Sequence, residues 1–108
     1  MRRGLTAFLA VALTGAAVAE SARAAVQGCP NVPEAGDVVQ ATNVSCATAR
    51  RVTTAWADLY RQDGISNRLV LGFYCRLREL PFEGGRVYCS QGRRKVSFYP
   101  TVAPPGAG

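Results

Sequence analysis

The sequence predicts an α+β domain in which one helix packs on a small antiparallel sheet, in the order β-α-β-β-β, stapled by two disulfides. Three observations predict it. One stretch of helical apolar period, at 46–61, is followed by three stretches of strand-like alternation, at 69–78, 86–91 and 95–99. Turn-forming residues separate those stretches. Four cysteines, an even number, lie in a chain of only 108 residues, which is the pattern of an exported domain too small to rely on its core alone.

The first 24 residues read as an address. Arg2 and Arg3 precede an uncharged run from Leu5 to Ala19, too short for the roughly 20 residues that span a bilayer. Ala17-Val18-Ala19 and Ala22-Arg23-Ala24 are both small-x-small patterns suited to a signal peptidase. Cleavage is expected after Ala24, with Ala19 as the alternative. Cys29 follows Gly28 as in a lipid-modified cysteine, but Gln27 occupies a position that prefers a small residue, and Glu20 and Arg23 separate Cys29 from the apolar run. The expectation is therefore an extracytoplasmic protein with no membrane span after cleavage.

The formal net charge of the whole chain is +6; the ten basic and six acidic residues after position 24 leave +4. Only one of those ten cations is lysine, and a chain rich in Ala, Gly, Val and Arg follows from GC-rich coding as readily as from a binding role.

Residues 25–35 hold Pro30 and Pro33 and read as an irregular lead-in. The domain proper is expected over 36–99, beginning with a strand at 38–44 whose inward face the adjacent Val38 and Val39 leave open. Asn43 or Ser45 is placed to cap the helix. Cys46, Ala49, Val52, Thr53, Trp56, Leu59 and Tyr60 form its apolar stripe, and Asp63-Gly64 follows as a stop. In the next strand, alternation puts Leu69, Leu71, Phe73, Cys75 and Leu77 on one side, and Val87 shares a side with Cys89 in the strand after. From Pro100 onward the Pro- and Gly-rich composition predicts a disordered tail, 100–108.

Cys29, Cys46, Cys75 and Cys89 are expected to form structural disulfides, each contributing about 2–4 kcal/mol. No C-x-x-C is present and the chain has no histidine, so zinc and thioredoxin-like redox sites lack their local geometry. Two connectivities remain open. The preferred one ties Cys46 to Cys75 or Cys89, with Cys29 on the remaining strand cysteine. The competing one pairs Cys75 with Cys89 across a hairpin and Cys29 with Cys46.

No catalytic, metal or cofactor signature emerges. Without histidine, the usual activation of a serine or cysteine nucleophile is closed. Lys95 and Ser97 face the same way on one strand but lack a pocket to depress the lysine pKa. Glu79 and Glu83 flank a solvated loop, and Gly84-Gly85 has no following helix to cradle phosphate. Asn43-Val44-Ser45 matches a glycosylation sequon, yet Ser45 is needed at the helix start.

One surface is distinctive. On the sheet face opposite the helix, alternation presents Tyr74, Arg76, Arg78, Arg86, Tyr88, Lys95 and Tyr99, with Ser97 between the last two, arginines interleaved with tyrosines. Such a face suits an acidic cell-envelope component or a protein partner through charge-assisted hydrogen bonds and ring contacts. An exported chain without a nucleic-acid motif argues against nucleic acid. The expected function is a secreted or cell-envelope non-catalytic binding domain; the alternative is a small secreted hydrolase-like enzyme.

The runs Asn43 to Val52, Gly72 to Cys75, Val87 to Gly92 and Val96 to Phe98 resemble those of uncharacterised small exported actinobacterial domains. These carry a cysteine at the helix start and two more on following strands. The resemblance covers about residues 36–99, implies the fold and carries over no active site.

Overall fold

The computed structural model describes residues 25–81 and 84–106. The export segment expected over 1–24 and Glu83 of the candidate carboxylate pair lie outside the described residues. Strand β1 (Val26–Cys29) and strand β2 (Gly36–Thr42) precede the helix α1 (Cys46–Asp63), and β3 (Arg68–Val70), β4 (Phe73–Leu80), β5 (Gly84–Gln91) and β6 (Arg94–Pro100) follow it. All neighbours pair antiparallel in one six-stranded sheet of order β1-β2-β6-β5-β4-β3, with α1 against one face. The α+β class holds, but the β-α-β-β-β order is corrected by two strands.

The first correction is in the lead-in. Its two prolines leave Val26–Cys29 free to pair in full with Val39–Thr42. The second lies in the stretch read as one strand at 69–78, which is a hairpin reversed at Leu71-Gly72. Both turn residues have positive φ, 51° and 86°, as a two-residue turn matched to strand twist requires; glycine makes half of that turn inexpensive. The reversal flips the alternation. Leu69 pairs with Tyr74 on the outer face and is 68% exposed, while Val70 pairs with Phe73 and is buried.

Helix α1 begins where Ser45 Oγ accepts the Thr48 backbone N–H at 3.1 Å. Asn43 instead donates to Arg93 O, 3.1 Å away at the β5–β6 turn. The helix ends at Gly64, whose N–H donates to Tyr60 O at 2.8 Å from a left-handed conformation. Ala49, Val52, Thr53, Trp56 and Ala57 are buried against the sheet, three to four residues apart as an amphipathic helix demands. Thr53 satisfies its buried hydroxyl by donating to Ala49 O at 2.9 Å.

The core lies between α1 and the inner sheet face, where Val39, Ala41, Phe73, Val87, Val96 and Phe98 are all at most 2% exposed. Trp56 occupies its centre, with its ring edge-on to Phe98 at 5.7 Å and stacked on Tyr60 at 4.6 Å. Its indole N–H donates to Ser66 O at 2.9 Å, so the largest buried side chain leaves no orphan donor. Helix and sheet approach closely at Gly36, where a Cβ would stand 2.8 Å from both Phe98 and Thr53.

The disulfides follow the competing connectivity, Cys29–Cys46 and Cys75–Cys89. Register decides it: Cys75 and Cys89 stand directly opposite one another in β4 and β5, so each finds its partner across the ladder. Cys46, half-buried at the helix start, takes Cys29 on the edge strand β1. The expectation that Cys46 converges on the strand cysteines is thereby corrected.

The segment read as a disordered tail starts as structure. Pro100 pairs with Gly36, Thr101 N–H donates to Ala35 O at 3.1 Å, and Val102 packs on the core. Pro105 passes within 3.2 Å of where a Cβ on Gly64 would lie.

Candidate functional site: the outer sheet face

Antiparallel pairing lays the outer-face residues out in rows that cross the strands. One row runs Leu69, Tyr74, Ser90, Lys95, Thr42, Val26, and the next runs Arg76, Tyr88, Ser97, Gln40, Gly28. In a third row Arg78 pairs with Arg86, and Tyr99 pairs with Asp37. Neighbours within a row stand about 4.8 Å apart, and successive rows about 7 Å apart.

The side chains differ in length along the rows, and that difference makes a groove of about 310 Å³ over the middle of the sheet. Ser90, Ser97, Thr42 and Gln40 lie low between the taller Tyr74, Tyr88, Arg76 and Lys95. Among the described residues, no aspartate or glutamate lines it. Arg76, Arg78 and Lys95 are exposed; the Arg78 guanidinium lies 5.8 Å from the centre of the Tyr88 ring, and Lys95 Nζ donates to Gly92 O at 3.4 Å.

Arg86 behaves differently from the other cations. Only 6% exposed, it lies over the Tyr99 ring at 4.3 Å, with Tyr88 at 6.0 Å. Its Nη2 donates to Ser97 Oγ at 2.8 Å and to Gln40 Oε1 and Val38 O at 3.1 Å each. The two ion pairs among the described residues are Arg61–Asp58 and Arg68–Asp63, so this buried guanidinium is held by neutral acceptors and ring faces. Its Nη1 is buried with no hydrogen-bond partner among the described residues, so the bonds at Nη2 and the ring faces offset only part of the cost of burying the charge.

The bond to Val38 shows what Arg86 holds. Register slips between Asp37 and Gln40, and Val38 takes a φ of 50°, an outlier for a β-branched residue. A bulge of this kind frees its backbone groups from the ladder. Here both are recaptured: Val38 N–H donates to Asn31 Oδ1 at 2.9 Å, and Val38 C=O accepts from Arg86. The bulge in turn sets the facing of Gln40 and Thr42 toward the groove.

The structure thus places all seven sequence-predicted face residues on the expected side, in two roles. Tyr74, Arg76, Arg78, Tyr88 and Lys95 border the groove. Arg86 and the half-buried Tyr99 are part of its support. Ser97 was already placed on this face by its alternation with Lys95, and Ser90 was within reach in the same way, since it alternates with Tyr88. Gln40 and Thr42 were hidden, because their facing depends on the bulge and their neighbourhood on the unpredicted β1.

The remaining candidates are not brought together. Ser97 Oγ is engaged with Arg86 and Gln40, and Lys95 Nζ with Gly92 O. Glu79 is exposed at the far end of β4, opposite Gly85. Among the described residues no cluster of three metal-ligating side chains occurs, and no helix is long and apolar enough to cross a membrane. Two disulfides and no free cysteine suit an oxidising, extracytoplasmic compartment. The chain matches no family model, no curated protein and no solved structure.

Proposed function

We propose that this protein is an exported, non-catalytic binding domain whose outer sheet face takes an acidic component of its surroundings. The observation that carries the reading is a groove bordered by three cations and two tyrosines, with no acidic side chain among the described residues that line it. A domain of this size has little surface to spare, and its opposite face is spent on the core. Arginine and tyrosine together supply forked donors for carboxylate or phosphate and flat rings for the apolar part of a ligand. Export is supported by the amino-terminal Arg2-Arg3, the apolar run and the Ala22-Arg23-Ala24 pattern.

Retention of the processed protein on negatively charged envelope material, measured against ionic strength, tests the reading. Surface charge attraction fades as the Debye length falls from about 10 Å at 0.1 M salt to about 3 Å at 1 M. Retention at low salt that is released by high salt is expected. Absent or salt-indifferent retention would contradict a cationic binding face.

A further inference from the structure

We infer that the ligand of the groove is an acidic carbohydrate, a chain of sugar rings bearing carboxylates such as a uronide; this rests on the binding face proposed above and names its ligand class.

The floor and the rim of the groove ask for different chemistry. On the floor, Ser90 and Thr42 supply hydroxyls and Gln40 a carboxamide, beside Ser97, whose hydroxyl is engaged with Arg86 and Gln40. A hydroxyl both donates and accepts, and a carboxamide offers one group of each kind. Gln40 is also oriented: its Oε1 accepts from Arg86, which leaves the amide nitrogen as donor. This floor matches a ligand whose middle is itself rich in groups that donate and accept, as sugar hydroxyls do. A carboxylate alone only accepts.

Tyr74 and Tyr88 stand beside that floor, 46% and 38% exposed, and offer ring faces to the C–H face of a sugar. The cations are confined to the rim, Arg76 and Arg78 on β4 and Lys95 on β6. Lys95 and Tyr74 flank Ser90 in the same row, so a ring seated over Ser90 would have a tyrosine at one side and an ammonium at the other. A volume of about 310 Å³ lies at the small end of small-molecule sites, roughly 300–1,000 Å³, and fits one or two sugar units of a longer chain.

An acidic peptide is the competing occupant, and the position of the groove disfavours it. Peptides commonly gain affinity by adding a strand to a free sheet edge, where backbone groups are unpaired. The groove instead lies over the face of the sheet, crossing β5, β6 and β2, which have strands on both sides, and β4, which pairs with β3 over Phe73–Cys75; it meets the edge strand β1 only at Val26. A peptide there would forgo main-chain pairing and leave the hydroxyl floor poorly used.

Calorimetric titration of the processed protein with tetragalacturonate, a neutral galacto-oligosaccharide of equal length and tetraglutamate tests the assignment. Tetragalacturonate is expected to bind at least roughly tenfold tighter than either control. Ser90→Val with Thr42→Val removes two floor hydroxyls with side chains that suit a strand. That double variant is expected to lose roughly tenfold in tetragalacturonate affinity while weak tetraglutamate binding stays unchanged. Thermal unfolding of the variant guards against misfolding, and Lys95→Met, at an exposed site, provides a second loss-of-binding test should the double variant not fold. Equal binding of tetraglutamate and tetragalacturonate would overturn the carbohydrate assignment and leave the cationic face standing. Equal binding of the neutral sugar would overturn the acidic requirement. No binding of either anion, together with salt-indifferent retention on envelope material, would overturn both.

Discussion

The two faces of the sheet use the same alternation for opposite ends. On the inner face, Phe73, Cys75, Val87, Cys89, Val96 and Phe98 are sealed under α1, each at most 2% exposed. On the outer face, Tyr74, Arg76, Tyr88, Ser90 and Lys95, the immediate chain neighbours of those residues, stand in solvent. Stability is therefore concentrated on one side and the proposed recognition on the other, and substitutions one residue apart should separate the two. Arg86 is the exception: it lies on the outer side but is buried, and it holds the bulge at Val38.

The largest expected effect is on the sealed face. Trp56→Ala empties the centre of the core and should cost about 3–5 kcal/mol in denaturant unfolding, enough to consume much of a small domain's stability.

Next come the staples, each expected to cost about 2–5 kcal/mol when its cysteines are replaced by alanine. The two losses should differ in place. Without Cys75–Cys89 the whole β4–β5 core should lose amide-exchange protection. Without Cys29–Cys46 the loss should be confined to the edge strand β1 and the first turn of α1, because β2 keeps β6 as its other neighbour. Uniform loss in both variants would break that distinction.

Arg86→Met sharpens the exception. It leaves Val38 C=O and the acceptors on Gln40 and Ser97 without their donor, at an expected cost of about 1–3 kcal/mol. The double substitution Arg76→Glu with Arg78→Glu, on the same face, should stay within about 0.5 kcal/mol of the parent. A cost at Arg86 no larger than at Arg76 and Arg78 would mean that the buried guanidinium supports nothing.

The smallest effect lies at the helix end. Arg68 donates to Asp63 at 2.8 Å and the Ile65 backbone N–H donates to it at 2.9 Å, and these hold its carboxyl below the ordinary value of 3.8. The folded pKa is the depressed one, so the contribution is fully present above the unfolded value and fades as pH falls through the folded one. Asp63→Asn should remove a slight acid-side dependence of stability below pH 3.8 and leave neutral pH behaviour nearly unchanged.

The sequence revealed most about this molecule where the signal was local. The stripe of α1 and the alternation of β4, β5 and β6 are written in successive residues, and so is the inner and outer assignment of Cys75 against Arg76 or Tyr88 against Cys89. Legibility failed where a side chain's facing depends on distant partners. Leu71-Gly72 continues an apolar alternation and conceals a reversal that only strand pairing shows. β1 has little strand character of its own and exists against β2 and under the Cys29–Cys46 bond. The bulge at Val38 is held by Asn31 and Arg86, the latter 48 residues away, so no local pattern announces that Gln40 and Thr42 face the groove. Arg86 read as one more surface cation, because burial of a charge among neutral acceptors leaves no mark in spacing.

The most direct test of a molecule divided into a structural and a binding face is amide chemical-shift mapping of the processed protein during titration with tetragalacturonate. Shifts should centre on Arg76, Tyr88, Ser90 and Lys95 and be absent from the solvent side of α1, where Arg50 and Arg51 offer a second pair of cations. Shifts centred on Arg50 and Arg51, or none on the outer sheet face, would contradict the account.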